Sequence, residues 1–163
     1  MNKTPRRLVT HVSNEAEFEA AIENDAHIVL QNDIVLSPAG SMASKFTIDG
    51  VQGLFIDGAN HMLGFASSSN STNGRIFYID NDSEVEIVDL TLENGYMYLY
   101  SISSVFLYGS AIYLKGSSTL EMTGCTLSTN TIHSTEDVSR CRLVLFSIAG
   151  AARDFLVLFC LSR

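Results

Sequence analysis

The sequence predicts an all-β solenoid: a right-handed, single-stranded parallel β-helix of three to four coils, closed at its N-terminal side by a short helix. Two observations predict it: corresponding strands recur at matching offsets, and apolar residues alternate within each strand. FTI at 46–48, FYI at 77–79 and IYL at 112–114 form one series, and LFI at 54–56, VEI at 85–87 and LEM at 120–122 form a second. Both series step by 31 residues and then by 35. The two strands of each unit start eight residues apart while the unit length varies, as in coils whose connecting loops take insertions. A sandwich of short antiparallel strands would not make the offsets agree pair by pair.

The elements follow in order. Residues 1–11 read as an N-terminal extension. Asn14 with Glu17 three residues on makes a capping box, and Phe18, Ala21 and Ile22 form an apolar stripe, which predicts a helix near 14–23 that lids the first coil. Ile28 and Leu36 precede Phe46 and Leu54 by 18, which places the earliest strands in the same two columns: 28, 46, 77, 112 and 36, 54, 85, 120. A third strand recurs where Leu90 and Leu92 match Cys125 and Leu127. Segments 58–75 and 94–110 read as insertions that emerge on one side, and the β-helix domain as 12–132. Residues 133–163 are apolar and atypical: a degenerate coil with Ile148, Gly150, Leu156 and Leu158 inward, a cap, a membrane-seeking tail or a foreign tail. Arg153 and Asp154 break the apolar run, which argues against a membrane helix.

Hydrophobic content of 46% is enough for a sizeable core, and charged content of only 17% leaves room for Ser, Thr, Asn and Gly. A net charge of -8 argues against nucleic acid, because residues 8–139 carry only Lys45, Arg75 and Lys115. Three cysteines without a C-x-x-C supply neither a disulfide framework nor a zinc site, and Cys125 falls in a core slot. No apolar stretch follows the basic residues at the N-terminus, so no secretory signal is read there.

Gly109-Ser110-Ala111-Ile112-Tyr113 resembles the GGAI(Y) element of polymorphic outer-membrane-protein-type repeats, and Leu127-Ser128-Thr129-Asn130 resembles their F-x-x-N element. Val12 through Leu36 resembles the opening of many pectin-lyase-like β-helices. Together these motifs cover about residues 12 to 132, although Gly74-Arg75-Ile76-Phe77 keeps only the glycine and an apolar residue. The resemblance implies a right-handed β-helix and an extracellular or cell-surface location. In the pectate-lyase-type enzymes of this fold it also implies a calcium site of several Asp and a catalytic Arg.

Candidate site residues fall into four groups. Asp49 and Asp80 align at the offset of 31, with Lys115 at the next position; with Asp82 they are the candidate ligands for calcium, the ordinary reading being turn hydrogen bonds. Glu86 and Glu121 align at 35 and face outward, as a solvated face or as a pair for cation binding or acid–base work. Tyr78 and Tyr113 share an outward slot, and Tyr96, Tyr98 and Tyr100 alternate in the insertion; their rings suit a sugar platform or plain cross-strand packing. Asn70 heads a glycosylation sequon in a loop. Arg75 reads as lying just before a strand, the four histidines are scattered, and no catalytic residue or cofactor is assigned. The leading expectation is a non-catalytic surface or extracellular module that binds carbohydrate, or a piece of a longer protein. The alternative is a polysaccharide lyase or glycoside hydrolase of the same fold.

Overall fold

In the computed structural model, residues 8–40, 43–67, 72–99, 110–134, 142–146 and 155–159 are described. The chain opens with β1 (Val9–Val12) and α1 (Glu15–Ala20), then runs through β2 (His27–Leu30), β3 (Ile34–Leu36), β4 (Ser44–Asp49), β5 (Leu54–Asp57) and β6 (Met62–Phe65). It continues through β7 (Arg75–Asp80), β8 (Glu84–Val88), β9 (Thr91–Glu93), β10 (Tyr96–Leu99), β11 (Ile112–Leu114), β12 (Thr119–Thr123) and β13 (Thr126–Ser128). Last come β14 (Thr131–Ser134), β15 (Arg142–Phe146) and β16 (Phe155–Phe159).

Strands cycle through three parallel sheets. Sheet A runs β1-β2-β5-β8-β12, sheet B β3-β6-β9-β13 and sheet C β11-β7-β4. Each full coil takes one strand from C, A and B in turn, so the fold is a parallel β-helix of about four coils. Strands this short stack only because period-two alternation gives each an inward apolar edge. Phe46 and Phe77 pair across sheet C, Leu54 and Val85 across sheet A, and Leu63 and Leu92 across sheet B, and all six are buried. Burying each side chain of this size stabilises by roughly 1.5–3 kcal/mol, so the column is the main source of cohesion.

The columns 46–77–112 and 54–85–120 are stacked as the offsets predict. The earliest strands are not where an offset of 18 puts them. Ile28 pairs with Ile56 in sheet A, and Leu36 pairs with Phe65 in sheet B. The eight-residue spacing marks the C-to-A corner of the later coils but the A-to-B corner between Ile28 and Leu36, and the sequence alone did not separate the two. Met62–Phe65, read as part of an insertion, is a sheet B strand. The inserted segments are therefore 66–74 and 94–111, and both leave sheet B and return to sheet C. They meet where Gly74 bridges Tyr96 and where Asn73 Nδ2 donates to the Asn94 carbonyl at 2.9 Å.

At the N-terminal end the helix forms as its capping residues dictate. Asn14 Oδ1 accepts from the Glu17 amide at 3.0 Å, and the Glu17 carboxylate accepts from the Ser13 amide at 2.7 Å. This seats Phe18 fully buried, 4.8 Å from the Phe46 ring and 6.0 Å from that of Phe77. The strand β1 precedes the helix and already belongs to sheet A through its pairing with β2.

Turns stack as well as strands. Gly50, Asn81 and Gly116 follow equivalent sheet C strands, and all three take positive φ, at 67°, 53° and 67°. Left-handed backbone suits Gly first and Asn next, which accounts for the residue types there. At the C-terminal end β10 pairs β14 in parallel, while β15 pairs β16 in antiparallel fashion, a pairing that coils do not use. Ile148 and Gly150 lie outside the described residues. Among the described residues no helix is long and apolar enough to cross a membrane.

Candidate functional site

The outward face of sheet C is where chemistry collects, because period two projects alternate residues of β4, β7 and β11 away from the core. Thr47, Tyr78 and Tyr113 form one outward ladder. The two rings stand 5.5 Å apart between centroids at 37°, an offset and tilted pairing favoured by aromatic quadrupoles. Asp49 and Asp80 form the neighbouring ladder, as their offset predicts. Lys115, directly after β11, reaches back along it so that Nζ donates to Asp80 Oδ2 at 2.7 Å.

Asp80 is thoroughly satisfied. Besides Lys115, the Tyr78 hydroxyl donates to Oδ2 at 2.7 Å and the Asn81 amide donates to Oδ1 at 2.8 Å. The hydrogen bond from Lys115, then those from Tyr78 and Asn81, bring its carboxyl down to about 2. The same bond raises Lys115, and donation to Asp80 raises the Tyr78 phenol. Like charges stacked about 4.8 Å apart would repel. Here Lys115 neutralises Asp80, and the Asn81 side-chain Nδ2 donates to Asp49 Oδ1. Asp82, whose backbone carbonyl accepts from Gln52 Nε2 at 2.5 Å, sits in the turn at φ 60°. Among the described residues no three His, Cys, Asp or Glu gather in a way that could hold a metal ion.

Arg75 departs from its expected place. It is the first residue of β7, paired with Ser44 and 3% exposed. Its Nη1 donates to Ser44 Oγ at 3.2 Å, and its guanidinium carbon lies 4.9 Å from the Tyr113 ring centroid. Lys115 Nζ lies 6.0 Å from the Tyr78 centroid. Each tyrosine of the pair therefore carries a cation beside its ring. The signal available in the sequence was Arg75 at 31 residues from Ser44, two positions before the Phe77 rung.

Glu86 and Glu121 are adjacent partners on the outer face of sheet A. Where the sequence suggested a bare strand surface, the structure has an open concavity of about 300 Å³ lined by Gly53, Glu84, Glu86, Thr119 and Glu121 together with the edges of Leu54, Val85 and Leu120. Glu84 was missed, although its place two residues before Glu86 put it on the same face. Among the described residues no arginine or lysine lines this concavity.

Tyr96 and Tyr98 belong to β10, which is part of neither sheet A nor sheet C. Tyr96 opens β10, half-buried, opposite Thr131, and Tyr98 pairs with His133 further along that strand. Tyr100 and Asn70 lie outside the described residues.

The fold is a parallel β-helix with aromatic and polar residues on an outward face. The chain belongs to the pectate lyase-like adhesive domain family, whose profile matches residues 9–134. That span takes in every strand from β1 to β14. Among curated proteins and among solved structures, no match to the chain is found.

Proposed function

We propose that this chain is a non-catalytic adhesive module, acting outside the cell or at its surface, that binds carbohydrate through the outward face of sheet C. The observation that carries this reading is the Tyr78–Tyr113 pair at 5.5 Å, set beside the Lys115–Asp80 pair in a family described as adhesive. Two tilted rings offer apolar faces to the C–H side of a pyranose, and Thr47 and Asp49 beside them offer polar groups to its hydroxyls. A lyase needs a base and cation-held carboxylates in its groove, whereas Asp80 is already committed to a lysine. The motifs at 109–113 and 127–130 support a finer kinship with polymorphic outer-membrane-type repeats.

A glycan-binding screen of the purified chain tests the reading, with Tyr78→Ala and Tyr113→Ala as comparisons whose fold is checked by far-UV circular dichroism. Loss of glycan retention in folded variants is expected. The second reading, a polysaccharide lyase or hydrolase, is favoured by the acidic concavity around Glu86 and Glu121. Release of unsaturated or reducing-end products from polysaccharide, abolished by Glu86→Gln, would establish it in place of the first.

A further inference from the structure

The class of glycan follows from where the positive charge beside sheet C is spent, on the reading that sheet C binds carbohydrate. Residues 8–139 contain three Lys or Arg side chains, and all three lie on or beside sheet C: Lys45 in β4, Arg75 in β7 and Lys115 just after β11. Each is engaged within the fold. Lys45, its side chain 13% exposed, pairs with Glu15 and donates to Ser37 Oγ at 2.7 Å. Arg75 is buried against Ser44 and Tyr113. Lys115 is the most open, at 48% exposed, and it holds Asp80 and the Tyr78 hydroxyl.

A polyanion approaching the tyrosine pair would meet a Lys115 charge already balanced by Asp80, and a full ion pair with it would compete with that carboxylate. Drawing Lys115 away would leave a carboxylate 10% exposed without its counter-charge, a costly outcome, and exposed Asp49 would face the ligand one rung away. The charge of the whole chain compounds this, since it is formally -8. An uncharged sugar meets none of these penalties. Its hydroxyls donate to the Asp49 carboxylate and exchange hydrogen bonds with Thr47, while its apolar face lies on the rings.

We infer that the ligand of the sheet C face is an uncharged glycan, a neutral pyranoside polymer or oligomer, rather than a uronate or sulfated polysaccharide. The Lys115–Asp80 pair acts as the selectivity element: it presents a balanced dipole to hydroxyl groups and withholds its cation from acidic ones.

The test is direct affinity measurement on the full chain against neutral glucan, galactan and mannan, and against polygalacturonate and a sulfated glycan, at about 50 and 500 mM salt. Binding to at least one neutral polymer is expected, with less than about twofold change across that salt range and at least about tenfold weakening in Tyr113→Ala. Preferred binding to an acidic polymer, falling steeply with salt, would overturn the inference and leave the carbohydrate reading standing. Binding to none of the five would overturn the carbohydrate reading and the inference with it.

Discussion

Lys115 Nζ lies 2.7 Å from Asp80 Oδ2 across one coil step, so the third rung of the Asp49–Asp80 ladder is occupied by a cation of the chain itself. The bond has a pH signature. Asp80 titrates near 2 in the folded chain, against about 3.9 when unfolded. A carboxyl depressed by folding contributes stability that is present above its unfolded value and lost as pH falls through its folded value. The urea midpoint of the wild type should therefore drop more than that of Asp80→Asn between about pH 4 and pH 2. Parallel profiles for the two proteins would remove the pair from the stability of the fold. Lys115, raised by the same bond, retains its share until pH climbs past the ordinary lysine range.

The Phe18–Phe46–Phe77 stack predicts that the helix acts as a lid by burying a ring on the column. Phe18→Ala should cost about 3–5 kcal/mol in urea unfolding, comparable to Phe46→Ala. A cost under about 1 kcal/mol for Phe18→Ala would mean that α1 covers nothing of consequence.

Close stacking at sheet B predicts sharp intolerance at one glycine and latitude at another. A Cβ on Gly64 would run into the Glu93 backbone carbonyl of the next coil, so Gly64→Ala should destabilise by about 1–3 kcal/mol. At Gly50 the nearest atom to such a Cβ is 3.7 Å away, and the equivalent turn position one coil on is Asn81, also at positive φ. Gly50→Asn should therefore change stability by less than about 1 kcal/mol, read as the shift in urea midpoint.

Asn130 joins adjacent coils by accepting from the Gly95 amide at 2.8 Å and donating to the Leu92 carbonyl at 3.0 Å. Truncation to Ala strands both backbone groups, at a cost of about 1–3 kcal/mol. Amide exchange at Gly95 should accelerate more than at Thr91, which lies outside this bond, and equal acceleration at the two sites would contradict the assignment.

The candidate site was legible as positions and opaque as contacts. Offsets of 31 and 35 put Tyr78 with Tyr113, Asp49 with Asp80 and Glu86 with Glu121, because a solenoid turns sequence offset directly into spatial adjacency. Arg75 beside Tyr113, and the concavity next to Glu86, were hidden because each depends on side-chain reach and strand curvature rather than register. Met62–Phe65 was hidden for a simpler reason. Leu63 precedes its partner Leu92 by 29 residues, not 31, since the turn at 58–61 holds two residues more than its counterpart one coil on.

By itself the sequence determined that strands stack in parallel coils, which residues form the inner columns of sheets A and C from Phe46 onward, and that Asn14 starts a helix. These are local matters of alternation, offset and capping. Only the tertiary structure decided that Ile28 stacks on Ile56 rather than Phe46, since the eight residues from Ile28 to Leu36 at the A-to-B corner match the C-to-A spacing of the later coils. It also decided the partner of Lys115. Alignment set Lys115 on the Asp ladder, but a four-carbon stem can point to water or back along the sheet, and the tyrosine hydroxyl and carboxylate below it drew it back.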